Sequence, residues 1–316
     1  MTAAFLAAAV LPIVVFGYVA FQAVSSSVAE HIHDKNSLLA KSLAREVRDF
    51  LFRGREILQY TARTMETDGV LQNPSAFLQT IAGQFRFFDS IQVIDADTGA
   101  IRYIAPYAAD YIGNDASKSA YFQNAVQTGR TFWSNTFISS QSGHPSVTLS
   151  VPGDHLIAVG FLNLVRLNDI SDRIVFGSTG QAAITDTAGT LIAHRNRTFV
   201  EERRNIRNLD IVSNTLAGRE GAFTFPFQGE EWVGTSSHIP VPGWSVFVFQ
   251  TASEARVHVH QIAAAILLGI AGAVILAVLM SLFWVKRLLK PIDRLVESAR
   301  GITQGNYKIA PHPQSY

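Results

Sequence analysis

Two pairs of histidines are the side chains whose type and spacing first suggest chemistry. His31 and His33 follow one apolar block of the sequence, and His258 and His260 precede another. If the two blocks lie side by side, the four imidazoles come to a similar depth, where they could respond to protons or bind a metal ion. Residues two apart on one helix do not share a face, however. Ordinary polar residues flanking the apolar blocks are therefore the simpler interpretation.

The other charged clusters do not assemble a catalytic site. Asp95 and Asp97 flank a predicted hairpin turn, where Asp is favoured because its side chain bonds nearby backbone. Arg203, Arg204 and Arg207 form a basic run that is typical of a solvated surface. The sequence has no cysteine and none of the H-E-x-x-H, Walker-type or G-x-S-x-G motifs. We therefore predict no enzymatic activity for this chain, no metal site and no cofactor.

Composition indicates two membrane segments, one near each end of the chain. The 316 residues are 48% hydrophobic and only 16% charged, with a net charge of +1, which gives no reason to expect nucleic-acid binding. The apolar excess lies in two blocks without charged side chains, Met1–Ala29 and Ile262–Val285. About 20 apolar residues cross the hydrocarbon core of a bilayer as a helix. We predict transmembrane helices at residues 1–26 and 260–285.

The flanking residues indicate an orientation. Four basic residues crowd just after the second block: Lys286, Arg287, Lys290 and Arg294. Basic residues collect on the cytoplasmic side, so the C-terminal end is expected inside and residues from about 25 to 260 outside. The first block is longer than a signal-peptide core and has no clear cleavage site, which favours an uncleaved anchor. It also lacks basic residues before it, which leaves room for a natural start further upstream.

The outside segment shows a repeated order of elements. A long helix, residues 27–67, is predicted from an apolar stripe at spacings of three, four or seven, and Asn73 and Pro74 begin a second helix. The order strand, turn, strand, helix, three strands then occurs twice, about 90 residues apart. In the first copy the strands are residues 90–94, 100–105, 132–139, 146–151 and 156–164, and the helix is 117–128. In the second copy the strands are residues 182–185, 190–194, 222–227, 231–238 and 244–250, and the helix is 209–216.

These elements predict an α+β fold. Each copy would form a five-stranded antiparallel sheet with helices on one face, leaving a concave surface where a small molecule can bind. The long N-terminal helix would run beside both copies.

The ordered motifs of this segment resemble the double Cache sensor domain, which has two PAS-like modules stacked along one long helix. The first copy carries Asp115-x-Ser117-x-x-x-Tyr121-Phe122 and Gly143-x-Pro145-x-Val147-Thr148-Leu149-x-x-Pro152. The second carries Ala183-Ile184-x-Asp186-x-x-Gly189-x-Leu191-Ile192-Ala193-His194 and Pro242-Gly243-Trp244. The resemblance implies a periplasmic helix at 27–70, a membrane-distal module at 71–175 and a membrane-proximal module at 176–255.

The segment after the second block resembles the first helix of a HAMP linker. It contains Lys290-Pro291-x-x-x-Leu295-x-Glu297 and ends near Gly305-Asn306. Apolar residues at spacings of four and three form a heptad seam suited to a parallel bundle: Leu288, Ile292, Leu295, Ala299 and Ile302. We therefore expect a partial HAMP linker at 286–316 and a homodimer.

The resemblance also implies where a ligand would bind, over the sheet of the membrane-distal module. The candidate ligand-binding residues there are Tyr103, Lys118, Tyr121, Phe122, Trp133, Ser139 and His144. Each of them could equally be core packing or solvated surface. Family members that bind amino acids carry an Arg before the aromatic pair and an Asp for the ammonium group, whereas this chain has Ser119 and Ala120 before Tyr121. A small carboxylate or a neutral metabolite is the favoured ligand class.

Together these features predict the sensor half of a bacterial inner-membrane receptor. The outside domain would be periplasmic or extracellular, and the output module would be a histidine kinase, a chemotaxis transducer or a diguanylate cyclase. Two other classes remain open. One is a membrane-anchored interaction protein whose outside domain binds another protein, and the other is an anchored periplasmic enzyme with titratable groups gathered in a cleft.

Overall fold

A computed structural model describes residues 2–67, 72–85 and 87–284 of the chain. It divides into two compact units, one formed by residues 31–256 and one formed by the two ends of the chain. The predicted HAMP segment at 286–316, which includes the four basic residues, lies outside the described residues. The structure likewise describes no side chain for His31, His33, His258 or His260.

The first helix, α1 (Thr2–Glu66), is continuous over 65 residues and ends one residue before the end of the predicted helix 27–67. The middle of its predicted apolar stripe is buried, at Leu43, Val47 and Phe50, whereas Ile57 is only partly buried and its neighbour Leu58 is fully covered. Glu66, at the end of α1, accepts hydrogen bonds from the backbone amides of His155 (2.8 Å) and Leu156 (3.0 Å). Helix α2 (Pro74–Phe85) follows, and the Asn73 side chain caps it by accepting from the Ala76 amide.

Seven strands and a helix build the first module. The elements are β1 (Phe88–Asp95), β2 (Ile101–Ala105), α3 (Ala120–Thr128), β3 (Phe132–Trp133), β4 (Phe137–Ile138), β5 (Pro145–Ser146), β6 (Thr148–Pro152) and β7 (Leu156–Leu162). Five of them form an antiparallel sheet in the order β2-β1-β7-β6-β3, and β4 and β5 form a separate two-stranded pair. Gly129 ends α3 in the left-handed conformation (φ 61°), as predicted for this position.

The second module repeats the five-stranded arrangement. Its elements are α4 (Leu164–Asp172), β8 (Gln181–Thr185), β9 (Leu191–His194), α5 (Arg197–Glu201), α6 (Asp210–Leu216), β10 (Ala222–Phe227), β11 (Glu230–Ile239) and β12 (Trp244–Thr251). The sheet order is β10-β11-β12-β8-β9. The predicted α+β class and the repeat are therefore confirmed. Helix α7 (Ala252–Trp284) continues directly from β12.

Two predicted strand boundaries are wrong. The Ser134 amide still donates to Thr148 of the neighbouring strand β6, but the predicted strand 132–139 is split after it because the Thr136 amide donates to Asp186 of the second module. The predicted strand 156–164 ends at Leu162 because the Asn163 side chain caps α4, accepting from the Arg166 amide. Helix α5 also begins at an asparagine cap, Asn196, and neither helix was predicted.

One core cluster joins α1 to both sheets. It contains Leu43 and Leu58 of α1, Val93 of the first sheet, and Val246 and Val248 of the second. A smaller cluster lies on the other face of each sheet. Helix α1 therefore supplies apolar surface that both modules share.

The terminal unit presents apolar side chains to its surroundings. Within the described residues one segment, Ala264–Ser281, is long and apolar enough to cross a membrane, with a mean hydropathy of 2.6. Its leucines are largely exposed, Leu268 to 75%. In the same unit, Gly17 of α1 approaches α7 so closely that a Cβ placed on it would overlap the side chain of Ile270.

We expect Gly17→Leu to disrupt the pairing of α1 with α7, because a small residue lets two apolar helices approach closely. Gly269→Leu is the matched control, since a Cβ at Gly269 meets nothing within 4 Å. Cysteines introduced at flanking positions of the two helices should crosslink readily in wild type and Gly269→Leu but poorly in Gly17→Leu. Equal crosslinking in all three would contradict the observed packing.

Candidate functional site

Four polar side chains share one face of the first module's sheet. Directly opposite residues of an antiparallel pair point to the same side. Ser90 lies opposite Phe161, which lies opposite Thr148. In the next row Gln92 lies opposite Val159, which lies opposite Ser150. We call Ser90, Gln92, Thr148 and Ser150 the polar patch.

The polar patch is buried and lacks hydrogen-bond partners. Ser90 and Gln92 are each 3% exposed, and Thr148 and Ser150 are fully covered. The three hydroxyl oxygens and Gln92 Oε1 have no partner among the described residues. A buried polar atom without a partner costs about 1–3 kcal/mol. Such atoms concentrated on one face are expected where a ligand or ordered water completes the bonding.

Aromatic side chains cover this face. The Tyr121 ring of α3 meets the Phe161 ring edge-on at 5.8 Å between centroids, and Phe137 of β4 meets the same ring at 6.2 Å. Phe122 is buried in the same cluster. Burial raises the pKa of the Tyr121 hydroxyl, so the phenol stays protonated and can donate a hydrogen bond. The polar patch is thus a floor, and α3 with the β4–β5 pair forms its cover.

The second module fills the centre of the equivalent face with aromatic rings. Phe247 and Phe249 lie on β12 where the first module has Val159 and Phe161, if the turns at Asp95 and Asp186 are aligned. Together with Phe225 they leave a cavity of only about 10 Å³, room for about one water molecule. Unpaired hydroxyls also occur in this module: Thr185 and Ser245 lie opposite each other near Asp186, and Ser236 lies opposite Phe247.

His194 lines that small cavity as a neutral side chain. It is 4% exposed, and its Nδ1 accepts a hydrogen bond from the Asn196 amide. Its ring lies 5.2 Å from the ring of Phe199. Burial lowers the pKa of His194 to about 4. The imidazole is therefore part of the core and not a base poised near neutral pH.

The structure gathers three of the seven candidate ligand-binding residues around the cover. Tyr121 and Phe122 lie on α3, and buried Ser139 lies in the turn after β4, where its Oγ accepts from the Gln141 amide. His144 is exposed in the same hairpin, and Lys118 is exposed before α3.

The other two candidates lie on the opposite face of the sheet. Tyr103 packs against the cluster that contains α1. Trp133 packs there too and meets Trp244 of the second module edge-on at 5.9 Å. The polar patch itself was not among the candidates. The available signal was polar residues at alternate positions of otherwise apolar strands, Ser90 and Gln92 in β1 and Thr148 and Ser150 in β6.

We expect Thr148→Val and Ser150→Ala each to stabilise the ligand-free protein by about 1 kcal/mol, because each removes an unpaired buried hydroxyl. Chemical denaturation measures this. Thr136→Val is the control, since the Thr136 hydroxyl is paired, donating to Asp186 at 2.8 Å, and its loss should destabilise the protein. If all three variants lost stability equally, the patch hydroxyls would have partners after all.

Acid should weaken the second module through His194. The folded pKa of about 4 lies below the ordinary value of 6.5, so the unfolded chain binds the proton more tightly. Stability contributed by the neutral ring is present above pH 6.5 and is lost as pH falls toward 4, by about 3 kcal/mol. Unfolding of wild type and His194→Phe between these pH values measures this loss. A parallel decline in both proteins would show that other groups cause it.

Known proteins share this architecture. The family model described as Cache domain matches residues 23–257. The methyl-accepting chemotaxis protein TlpB of Bacillus subtilis (strain 168) is 23% identical over 97% of this chain. The match covers 46% of TlpB, so the chain spans less than half the length of that relative.

Solved structures agree in fold. The ligand-binding domain of Mlp24 with asparagine has a TM-score of 0.57 at 16% identity, covering 75% of this chain and 99% of that domain. The ligand-binding domain of the Pseudomonas fluorescens chemoreceptor CtaA, in complex with L-isoleucine, has a TM-score of 0.59 at 13% identity, covering 73% and 96% respectively. With the family model matching most of the chain and two repeated five-stranded sheets along one helix, this protein belongs to the Cache domain family.

Proposed function

We propose that the chain is the sensing part of a transmembrane chemoreceptor and that its ligand binds on the polar patch of the first module. The single observation that carries this is the set of four buried, unpartnered polar side chains beneath an aromatic cover. Membership of the Cache family and similarity to chemotaxis receptors support the receptor class. This role needs no catalytic residue.

Two membrane spans would hold the sensing unit outside the cytoplasm of a bacterium. Ala264–Ser281 meets the length and hydropathy needed for one of them. The early part of α1 supports the other, because Leu11, Phe16 and Tyr18 are exposed apolar or aromatic residues in a segment without charge. Large exposed apolar surfaces require a lipid or protein environment. The basic residues after the second span would then lie inside the cell.

The patch favours a small polar ligand. It offers three hydroxyl groups and one amide, which can donate and accept hydrogen bonds but carry no charge. Tyr121 adds an aromatic face and a phenol donor. A small carboxylate or a neutral metabolite suits this set. The exposed Lys118, which precedes α3, is the candidate partner for a ligand carboxylate. Asparagine and isoleucine, which the similar domains hold, are natural probes because each carries a carboxylate group.

Signalling would use a homodimer and the helix that leaves the second module. Helix α1 exposes Leu38, Phe52 and Tyr60, which offer apolar surface to a second copy. Glu254, in the first turn of α7, accepts from the amides of Ser178 (2.5 Å) and Thr179 (2.9 Å) in the segment between α4 and β8. Burial opposes ionisation of Glu254, but these hydrogen bonds outweigh it and lower its pKa to about 2. A ligand shifts α7 only if it binds two states of the receptor with different affinity.

A contact with another protein is the second candidate function. The first module exposes Tyr107, Ile112, Val126 and Ile138, which is apolar surface that a protein partner could cover. This candidate predicts that no small molecule stabilises the first module.

Thermal unfolding of the full chain in detergent, with amino acids and small carboxylates as probes, tests the proposal. A ligand present at 100 times its Kd should stabilise the protein by about 2.7 kcal/mol. The stabilisation should disappear in Thr148→Val and Ser150→Ala. It should persist in Ser236→Ala, which removes an equally unpaired hydroxyl from the second module. Silence across the panel would favour the protein contact, and equal loss in Ser236→Ala would place the ligand elsewhere.

A further inference from the structure

The segment that follows β3 and contains β4 covers the polar patch, yet the second module holds it. Its first residue is tied to the pocket floor, because Ser134 Oγ accepts from the Thr148 amide at 2.8 Å. Its last residues form the cover, where Phe137 packs on Phe161. Between these points, the amide and hydroxyl of Thr136 donate to Asp186 Oδ2 at 2.9 and 2.8 Å. We call Ser134–Ser139 the wall segment.

Asp186 divides its carboxylate between the two modules. Its Oδ1 accepts from the amides of Ala188 (3.0 Å) and Thr190 (2.9 Å), which shapes the turn between β8 and β9. Among the described hydrogen bonds, its Oδ2 accepts only from Thr136. Asp186 is 1% exposed and Thr136 is 3% exposed, so water does not compete for these bonds. Hydrogen bonds to a buried carboxylate are among the stronger ones in proteins.

Further contacts hold the same junction. The Arg203 guanidinium donates to the Thr136 carbonyl oxygen, and Arg203 does so from a left-handed backbone conformation (φ 51°) that is unfavourable for a residue with a side chain. The Thr187 hydroxyl bonds the Asn135 side chain. The backbone of Thr136 therefore has both its donor and its acceptor satisfied by the second module.

The first module has the equivalent aspartate but uses it differently. Asp95 Oδ1 accepts from the amides of Asp97 (3.1 Å) and Thr98 (2.8 Å) in the corresponding turn. Asp95 Oδ2 pairs with Arg102 of the same module. Both aspartates therefore stabilise the same turn through Oδ1. Of the two, only Asp186 uses its Oδ2 to bind the other module.

We propose that Asp186 is a positioning residue for the ligand pocket, holding the wall segment so that the second module sets the shape of the first module's site. We call the hydrogen bonds between Asp186 and Thr136 the clamp. Its effect on ligand affinity rests on the proposed ligand site, whereas the clamp itself is present without any ligand. A molecule that enters beneath Phe137 must displace or tighten the wall segment, and the displacement reaches the β8–β9 turn through Thr136 and Asp186. The bonds between Thr136 and Asp186 then affect ligand affinity and also transmit the displacement to the second module.

Asp186→Asn tests this, because the amide oxygen can still accept from Ala188 and Thr190 while its NH2 group cannot accept from Thr136. Hydrogen exchange of the ligand-free full chain is the first measurement. Loss of hydrogen bonds to a buried carboxylate should speed exchange in the wall segment roughly tenfold or more. Asp95→Asn is the matched control and should leave the wall segment unchanged. Thr136→Val removes only the hydroxyl donor and should increase the exchange rate of the wall segment by less. It replaces Asp186→Asn as the test if that variant does not fold.

The probe that stabilises the wild type most in the thermal panel provides the second measurement. Its Kd should rise about tenfold in Asp186→Asn, as expected for one charge-assisted hydrogen bond, and stay near the wild-type value in Asp95→Asn. Unchanged exchange of the wall segment in both Asp186→Asn and Thr136→Val would overturn the clamp. Faster exchange with an unchanged Kd would overturn the positioning role. A panel that is silent for the wild type would reject the ligand site, while the exchange data would still decide the clamp.

Discussion

The burial of one face of α1 is the constraint on which the rest of the unit formed by residues 31–256 depends. A five-stranded sheet with one apolar face needs a partner layer, and α1 provides it for both sheets at once. Leu43, Val47 and Leu58 are fully covered, and each buried aliphatic side chain of this size contributes about 1.5–3 kcal/mol. Because the two modules share this helix, neither has a complete core without it. A change in one module therefore acts on surface that the other also uses.

The two modules use their second faces differently. The second module packs aromatic rings there around a cavity of about 10 Å³. The first module covers its face with Tyr121, Phe122 and Phe137 but leaves polar atoms unsatisfied beneath them. This arrangement lowers the stability of the ligand-free state, and a ligand that completes the bonding would recover it.

The junction between the modules is polar, although both cores are apolar. Asp186, Thr136 and Arg203 fix the distance and register of two turns that apolar contact alone would allow to slide. Trp133 and Trp244 add an edge-on ring contact nearby. Directional bonds at a junction between two apolar cores transmit a small displacement better than apolar packing, because their geometry tolerates little change.

Local pattern was enough to predict much of the architecture. Apolar spacing along 27–67 indicated the long helix, the turns at Asp95 and Asp186 indicated two copies of one module, and the uncharged block at Ile262–Val285 indicated a membrane segment. Each of these signals depends on neighbouring residues in the chain, which is why the sequence carries it. The motifs that resemble the Cache domain, such as Tyr121-Phe122, added the expected place of the ligand.

Tertiary structure decided which side chains lie on the polar-patch face of the first module's sheet. Tyr103 and Trp133 differ from Ser150 and Gln92 in which face of the sheet they occupy, and a shift of one residue in strand register reverses the face. The split of the predicted strand 132–139 follows from a carboxylate 50 residues away in the chain, at Asp186. Helix propensity, turn chemistry and hydropathy are local and can be read from the sequence. Strand register and long-range hydrogen bonds are set by how distant segments pack, so they become visible only in the folded molecule.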